Sequence, residues 1–260
     1  MSVMSDNPRP QVPAADQTLR ILSLLARQPG PVAAQTIATT LGIPRSSTYH
    51  LLATLEQHGY VVHLPGDRRW GLGTAAFELG GGYARQQPLA RLGRPLLAAL
   101  SDRVGESAHL AVLAGRDVLY IVEERAPRRP ALVTDVGVRL PAHLAATGRA
   151  MLSALPRPQV RALYPDATAL TQRTGLGPTT PRALRELLRE VRAAGYASED
   201  GEVTPGFRSV AAPVLDHAGW PAAAVALTWP ADGSARDAVA LAAAASGTAA
   251  ELARRIGRHA

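Results

Sequence analysis

Neither cysteine nor lysine occurs in the 260 residues. The first absence removes disulfides, thiol catalysis and thiolate metal sites together. The second leaves arginine as the whole basic complement, 28 side chains against 21 acids and a formal net charge of +7. Such a balance favours an anionic partner. Arginine without lysine, beside abundant alanine, glycine, proline and leucine, is also what a GC-rich genome writes, so bulk charge alone argues little for nucleic-acid binding. Met1 to Gly73 holds six arginines and four acids, a net of +2. Any DNA-binding reading there rests on placement.

Other patterns are missing too. The seven histidines form no HxxH or HxxxH pair, so no metal is expected, and no cofactor either. There is no internal repeat. No apolar run approaches the length of a membrane span. Met1 to Ala15 is polar and proline-containing, with neither the apolar run of a leader nor that of an anchor. A cytoplasmic protein without a membrane partner is expected. With 47% hydrophobic residues the chain can fill one large core or two modest ones.

The informative segment is Gly42 to Tyr60, GIPRSSTYHLLATLEQHGY. Read as a helix from Pro44 to about Gln57, it places Thr48, Leu51, Leu52 and Leu55 on one apolar stripe. Pro44 suits the first helical position, where its missing N–H has no intrahelical partner. Arg45, Ser46, Tyr49 and His50 fall on the other side. With Ser47, these hydrogen-bonding groups in the first two turns are the residue types with which a recognition helix meets base edges and phosphates. Upstream, Thr18 to Ala26 reads as a helix with Leu19, Leu22 and Leu25 at helical spacing, stopped by Pro29-Gly30-Pro31. Ala33 to Leu41 reads as a second helix with Ile37 and Leu41 inward, and Gly42 turns into the third. Gly59 then ends the recognition helix. Tyr60 to Leu64 reads as a strand, Pro65-Gly66-Asp67 as a turn and Arg68 to Leu72 as the returning strand. This is a winged helix-turn-helix with Arg68 and Arg69 at the wing, where phosphates or a minor groove would lie.

A disordered tail over 1–14, a winged head over 15–73 and a linker helix over 74–87 lead into a second domain over 88–260. Pro88 to Val104 opens that domain as an amphipathic helix. From Glu106 the period changes, and Ser107 to Leu113, Val118 to Glu124 and Pro130 to Val136 read as strands. Thr147 to Leu155, Arg157 to Tyr164 and Pro181 to Ala194 read as helices. Arg208 to Leu215 and Ala222 to Trp229 read as a last antiparallel pair, and Ser234 to Gly257 as a terminal helix. The class expected is α+β, an antiparallel sheet covered by helices after a winged head.

Four segments, PRSSTYHLLATLEQHGY, RRWGLG, GVRLPAHLAATGRAMLSALP and GYASEDGEVTPGFRSVAAPV, resemble the IclR family of bacterial transcription regulators. The resemblance covers nearly the whole chain from Thr18 onward. It implies a homodimer or tetramer that binds a palindromic double-stranded DNA operator, with a GAF-like C-terminal domain that both oligomerises and takes up a small effector. Carried onto this sequence, the effector site falls on Leu140, Ala146, Thr147, Glu199, Phe207, Ser209, Ala226 and Thr228. The chain departs from the family pattern at Thr48, where an apolar residue is usual and the hydroxyl needs a partner such as the carbonyl one turn back. It also carries Arg149 for the commoner lysine, and Ala145 and Ala146 in a loop that is usually more polar.

The residue chemistry is compatible with an organic acid as effector. A helix starting near Thr147 and Gly148 offers free amides and the positive end of its dipole to a carboxylate. Ser209, Thr228 and Glu199 supply polar contacts, and Phe207 and Leu140 apolar walls. The same types equally suit satisfied sheet positions and a helix cap. His143, in LPAH, reads as a structural hydrogen-bonding residue, and Glu123-Glu124 with Arg125 to Arg129 as a solvated strand end and loop.

Two rival functions differ in kind. An enzyme is disfavoured: no cysteine supports a thiol reductase, and neither Ser209 nor Ser153 lies in a GxSxG turn or a Ser, His and Asp set. A DNA-binding oligomer whose C-terminal domain only dimerises stays open, and effector-dependent operator affinity separates it from a regulator.

Overall fold

The computed structural model describes residues 11–26, 28, 30–79, 88–127, 134–231 and 237–257. The chain divides into two compact units, Met1–Gln86 and Gln87–Ala260. In the first, α1 spans Pro13–Leu25. The tail expected over 1–14 falls mostly outside the described residues, but Pro13 and Ala14 are helical, so α1 starts five residues before Thr18. Proline in its first turn presets φ, and Asp16 there complements the helix dipole. With the helix so placed, Ile21 and Leu25 are buried while Leu19 is 64% exposed. Of the three leucines at helical spacing, Leu19 is thus turned to solvent.

After the two-residue strand β1 (Val32–Ala33) come α2 (Ala34–Leu41) and α3 (Arg45–Gln57). Pro44 is the N-cap of α3, not its first helical residue. Its carbonyl accepts from both the Thr48 amide at 2.9 Å and the Thr48 hydroxyl at 3.2 Å, which lets a polar side chain sit fully buried beside Leu52 and Leu55. At the other end Gly59 takes φ 72°, and the Tyr60 amide reaches back to Leu55 O at 2.9 Å. This left-handed closure suits glycine. Strands β2 (Val61–Leu64) and β3 (Arg69–Leu72) form the wing, and β1 adds to β3 to give the order β1-β3-β2. Local periodicity could not show β1, because its hydrogen-bond partners, Arg69 and Trp70, are distant in sequence. Residues 74–79 form α4; the rest of the expected linker lies outside the described residues.

The second unit opens with α5 (Pro88–Val104) and is built on a six-stranded antiparallel sheet. Its strands are β4 (Ser107–Ala114), β5 (Asp117–Glu124), β6 (Arg139–Pro141), β7 (Ala197–Asp200), β8 (Phe207–Leu215) and β9 (Pro221–Pro230), in the order β6-β5-β4-β9-β8-β7. Between β6 and β7 run α6 (Ala146–Ala154), α7 (Arg157–Leu163) and α8 (Pro181–Ala194), and α9 (Ala238–Gly257) closes the unit. One sheet face buries Val210, Val225 and Leu227 with Leu97 and Leu100 of α5 and Leu252 of α9. The other buries Ala111, Ala211 and Ala226 with Met151 and Leu152 of α6 and Leu184 and Leu188 of α8. The alanines leave room for α6 to lie close. Helix α8 is specified locally: the Thr180 hydroxyl accepts from the Ala183 amide at 3.1 Å, Pro181 opens the first turn, and Leu184, Leu188 and Val191 make the buried stripe.

The strand expected over Pro130 to Val136 is not borne out where it is described. Residues 134–138 include a turn, and β6 begins only at Arg139; residues 130–133 lie outside the described residues. Gly137 N donates to Tyr120 O at 2.8 Å and Tyr120 N to Val138 O at 3.1 Å, so β5 holds a turn at this point. Of the expected terminal helix, residues 234–236 lie outside the described residues, and Asp237 caps the described part by accepting from the amides of Val239 and Ala240. Among the described residues no helix is long and apolar enough to cross a membrane, and no group of metal-ligating side chains is present.

Candidate functional site

In the first unit the buried stripe of α3 turns its opposite face outward. Arg45, Ser46, Tyr49 and His50 are exposed and Ser47 is half-buried. Arg45 stacks its guanidinium over the Tyr49 ring, 5.9 Å from the centroid. That pairing one turn apart restrains both side chains. Glu56 accepts from the His63 amide at 3.2 Å, tying the wing to α3. Arg68, at φ 52°, is the one non-glycine residue with positive φ among those described, and it sits in the exposed turn of the wing. Arg69 opens β3 and reaches back toward Pro31 O at 3.5 Å, so the two wing arginines are not equivalent. Arg20 is occupied structurally, donating to Leu41 O at the end of α2 at 2.9 Å.

In the second unit a cavity lies under the N-terminus of α6, lined by Ala146, Thr147, Glu199, Phe207, Ser209, Ala226 and Thr228. The sheet register explains how these come together. Glu199 faces Ser209, Ser209 faces Thr228, and Thr228 faces Ser107, a polar row across β7, β8, β9 and β4. Ser209 Oγ donates to Glu199 Oε1 at 2.8 Å and lies 3.0 Å from Thr228 Oγ1. A hydroxyl has one proton, so Thr228 is the donor to Ser209 and Glu199 is the terminal acceptor. Val203 N adds a longer bond to Glu199 Oε2 at 3.4 Å. Burial nevertheless pushes the Glu199 carboxyl up to about 7, the bonds from Ser209 and Val203 only partly opposing it.

Leu140 and Gly148 are not on the cavity wall. Leu140 is buried in the core on β6, where it pairs with Val118. Gly148 is held by packing: a Cβ there would stand 2.1 Å from Ala142 O, so only glycine admits this approach of α6 to residue 142. Ala145 is the N-cap of α6 and makes no side-chain cap, and the first turn holds no acid. Among the described residues the leading amides therefore have no side-chain acceptor.

Tyr120, Thr134, Ala145, Val203 and Thr204 also line the cavity and escaped the sequence reading. Tyr120 keeps the alternation of β5, on one face with Val118, and a bulge follows it. Leu110 faces Val122 but Ala111 faces Tyr120, leaving Ile121 unmatched. Ile121 and Val122 turn to the same side of the sheet, while Tyr120 faces inward, its hydroxyl 3.2 Å from that of Thr147. Burial pushes the phenol up to about 12, so it is neutral. The same bulge corrects the reading of Glu123 as solvated. Glu123 pairs with His109 in the sheet, its side chain is only 6% exposed, and it accepts from Arg125 Nε at 3.0 Å. His109 is fully buried, with Nε2 2.8 Å from Thr134 Oγ1. Desolvation, with Arg125 nearby, lowers it to about 3, leaving a neutral imidazole.

Arg149 of α6 is 2% exposed. It donates to His143 O at 2.9 Å, Ser198 O at 2.7 Å and Glu202 Oε1 at 2.9 Å. His143 Nε2 lies 2.8 Å from Thr171 O, a hydrogen bond to the backbone.

A winged helix-turn-helix unit and a helix-flanked antiparallel sheet enclosing a polar cavity define a class, the DNA-binding regulators with an effector-binding domain. Residues 14–65 match the family model of the IclR helix-turn-helix domain. Residues 81–254 match that of the bacterial transcriptional regulator IclR C-terminal region. The chain belongs to the IclR family and is a DNA-binding transcriptional regulator. It is 30% identical over 228 residues to the transcriptional repressor IclR of Escherichia coli K12, covering 85% of this chain and 81% of that protein. The crystal structure of an IclR transcriptional regulator from Alicyclobacillus acidocaldarius covers 94% of this chain and 99% of its own, at a TM-score of 0.83 and 27% identity. An IclR homolog of Microbacterium hydrocarbonoxydans, crystallised with 4-hydroxybenzoate, shares the fold at a TM-score of 0.76 and 21% identity, covering 93% of this chain and 99% of that one.

Proposed function

We propose that this chain is a repressor whose winged head, residues 15–73, binds a pseudo-palindromic operator as a homodimer or tetramer, and whose residues 88–260 release it on binding a small organic acid. In this reading Arg45, Ser46, Ser47, Tyr49 and His50 meet the major groove, and Arg68 and Arg69 meet the backbone at the wing. One short recognition helix contacts too few base pairs to select a site in a genome, so a symmetric pair is required. Phe77 and Leu79 on α4, 84% and 62% exposed, are apolar surface suited to such self-association.

The observation that carries the effector reading is the Glu199, Ser209 and Thr228 row facing the uncapped start of α6 across one cavity. An acid seated there would place its carboxylate on the amides at the start of α6, near Ala146 and Thr147, and a hydroxyl toward Ser209 or Glu199. A carboxylate ligand in the Microbacterium homolog supports that class. Footprinting of the full chain on DNA flanking its own gene, with and without a panel of organic acids, tests both halves at once. A protected palindrome that an acid abolishes is the expected result.

One observation favours a second reading, in which the C-terminal domain only oligomerises. The enclosed free volume is about 20 Å³, room for little more than one water molecule. An effector would have to open the cavity, with half-buried Phe207 the side chain best placed to move. Operator affinity that no acid changes would favour this alternative.

A further inference from the structure

Helices α7 and α8 border a groove of about 390 Å³ lined mainly by arginine. Arg157 and Arg161 stand one turn apart on α7. Arg182, Arg185, Arg189 and Arg192 recur along one face of α8. Two of the six are already engaged: Arg182 pairs with Glu186 at 3.0 Å, and Arg192 donates to the Ser153 carbonyl at 2.9 Å, closing the end of α6. The other four, Arg157, Arg161, Arg185 and Arg189, are exposed and have no ion-pair partner among the described residues. Val160 and Leu188 contribute apolar surface to the groove.

A solvated charged face ordinarily interleaves its signs, as α9 does where Glu251 holds both Arg254 and Arg255. The groove is different. Among the described residues Glu186 is its one acid and is taken by Arg182, so four like charges share a concavity that a bound anion would neutralise. Guanidinium forks match phosphate oxygens two at a time. Four free forks on two walls need a ligand with more than one such group, and the volume lies within the range of small-ligand sites. A concave site of this size fits a compact anion better than the extended backbone of a duplex.

We propose that the groove between α7 and α8 is a second ligand site, separate from the cavity under α6, for a small anion bearing two or more phosphoryl groups. Calorimetry on the full chain at constant ionic strength tests it with inorganic pyrophosphate, tripolyphosphate and ADP as probes. Pyrophosphate and tripolyphosphate should bind, and the double variant Arg161→Gln/Arg189→Gln should weaken them at least about tenfold, the consequence of losing two charged donors. Arg91→Gln/Arg103→Gln, which removes the same charge from α5, should leave binding within about twofold, and Arg185→Lys, which keeps the charge but loses the fork, should weaken it. ADP binding as tightly as pyrophosphate assigns the anion to nucleotides; weaker ADP binding assigns it to inorganic polyphosphate. The proposal is overturned if sulfate at matched ionic strength binds equally well, if both double variants weaken binding alike, or if no phosphate binds. A duplex-binding salt slope that falls in the Arg161/Arg189 variant, with no small phosphate bound, would overturn it in favour of a DNA backbone contact.

Discussion

Ser209 donates its hydroxyl to Glu199 Oε1 at 2.8 Å across directly opposed positions of β8 and β7. The pair sits on the cavity wall, where Glu199 is 6% exposed. One hydroxyl and one distant amide do not replace the water that an ionised carboxylate would lose. The site therefore holds a carboxyl whose charge depends on pH near neutrality and on what shares the cavity with it.

The first prediction concerns stability. The Glu199 carboxyl is raised from its ordinary 4.5 to about 7, so the folded state holds this proton more tightly than the unfolded chain. Its stabilising contribution is complete below the ordinary value and is lost as pH rises through about 7, a change of roughly 3 kcal/mol at most. Glu199→Gln removes this titration. In urea unfolding, the stability of the variant relative to the wild type should rise by roughly 1–3 kcal/mol between pH 5 and pH 8. Parallel pH profiles for the two proteins would show that Glu199 does not titrate in this way.

Arg149 supplies the second. Its guanidinium satisfies two backbone carbonyls and the Glu202 carboxylate in a nearly closed site, three acceptors set in the geometry of a fork. Arg149→Ala should cost about 3–5 kcal/mol, since it leaves Glu202 and the carbonyls without their donor. Arg149→Lys should recover only part of that, because one ammonium cannot reach all three acceptors. Denaturant titration decides it: a loss below about 1 kcal/mol in the alanine variant would mean that water replaces the fork.

The third addresses DNA. Arg45→Ala and Tyr49→Ala should each lower preference for the operator by ~1–3 kcal/mol, and their effects should not add, because the two side chains stack. Arg68→Ala should weaken specific and random duplex alike and flatten the salt slope by about one unit. Arg69→Ala should do less, since its guanidinium is turned toward Pro31 O. Salt titrations on operator and random DNA separate these. A folded Arg45/Tyr49 double variant that still binds its operator normally would remove α3 from the interface.

What the sequence disclosed and what it hid follow from how far apart the determinants lie. The buried stripe of α3, Thr48, Leu52 and Leu55, and the cap, stripe and terminal glycine of α8 are local, and periodicity shows them. Ser209 and Thr228 were found through a resemblance; that they share one row with Glu199 depends on the registers of β7, β8 and β9. Glu123 reads as solvated because a single unmatched residue, Ile121, reverses the alternation of β5 beyond it, whereas Tyr120 keeps the face of Val118 and is brought to Thr147 only by the fold. Leu140 reads as a wall but fills the core, and Gly148 reads as an anion seat but is also demanded by residue 142 pressing on it. Neither partner is legible from a one-dimensional pattern.

The last prediction joins the uncapped α6 to Glu199. If the effector's carboxylate sits on the amides at the start of α6, near Ala146 and Thr147, the helix terminus contributes on the order of 1–2 kcal/mol, and neutral amide analogues of the acid should bind correspondingly more weakly. Thr147→Asp should be worse than either, its own carboxylate occupying the seat, while DNA binding without effector persists. A ligand anion sharing the cavity with Glu199 also favours the protonated form of that carboxyl, so binding should take up a proton. Affinity for the acid should then fall as pH rises through about 7 in the wild type and stay flat in Glu199→Gln, because only the ionised glutamate repels the ligand. Calorimetry of the full chain in two buffers of different ionisation enthalpy reads the proton directly. Amides that bind as tightly as acids would move the carboxylate away from α6, and binding without proton uptake would move it away from Glu199.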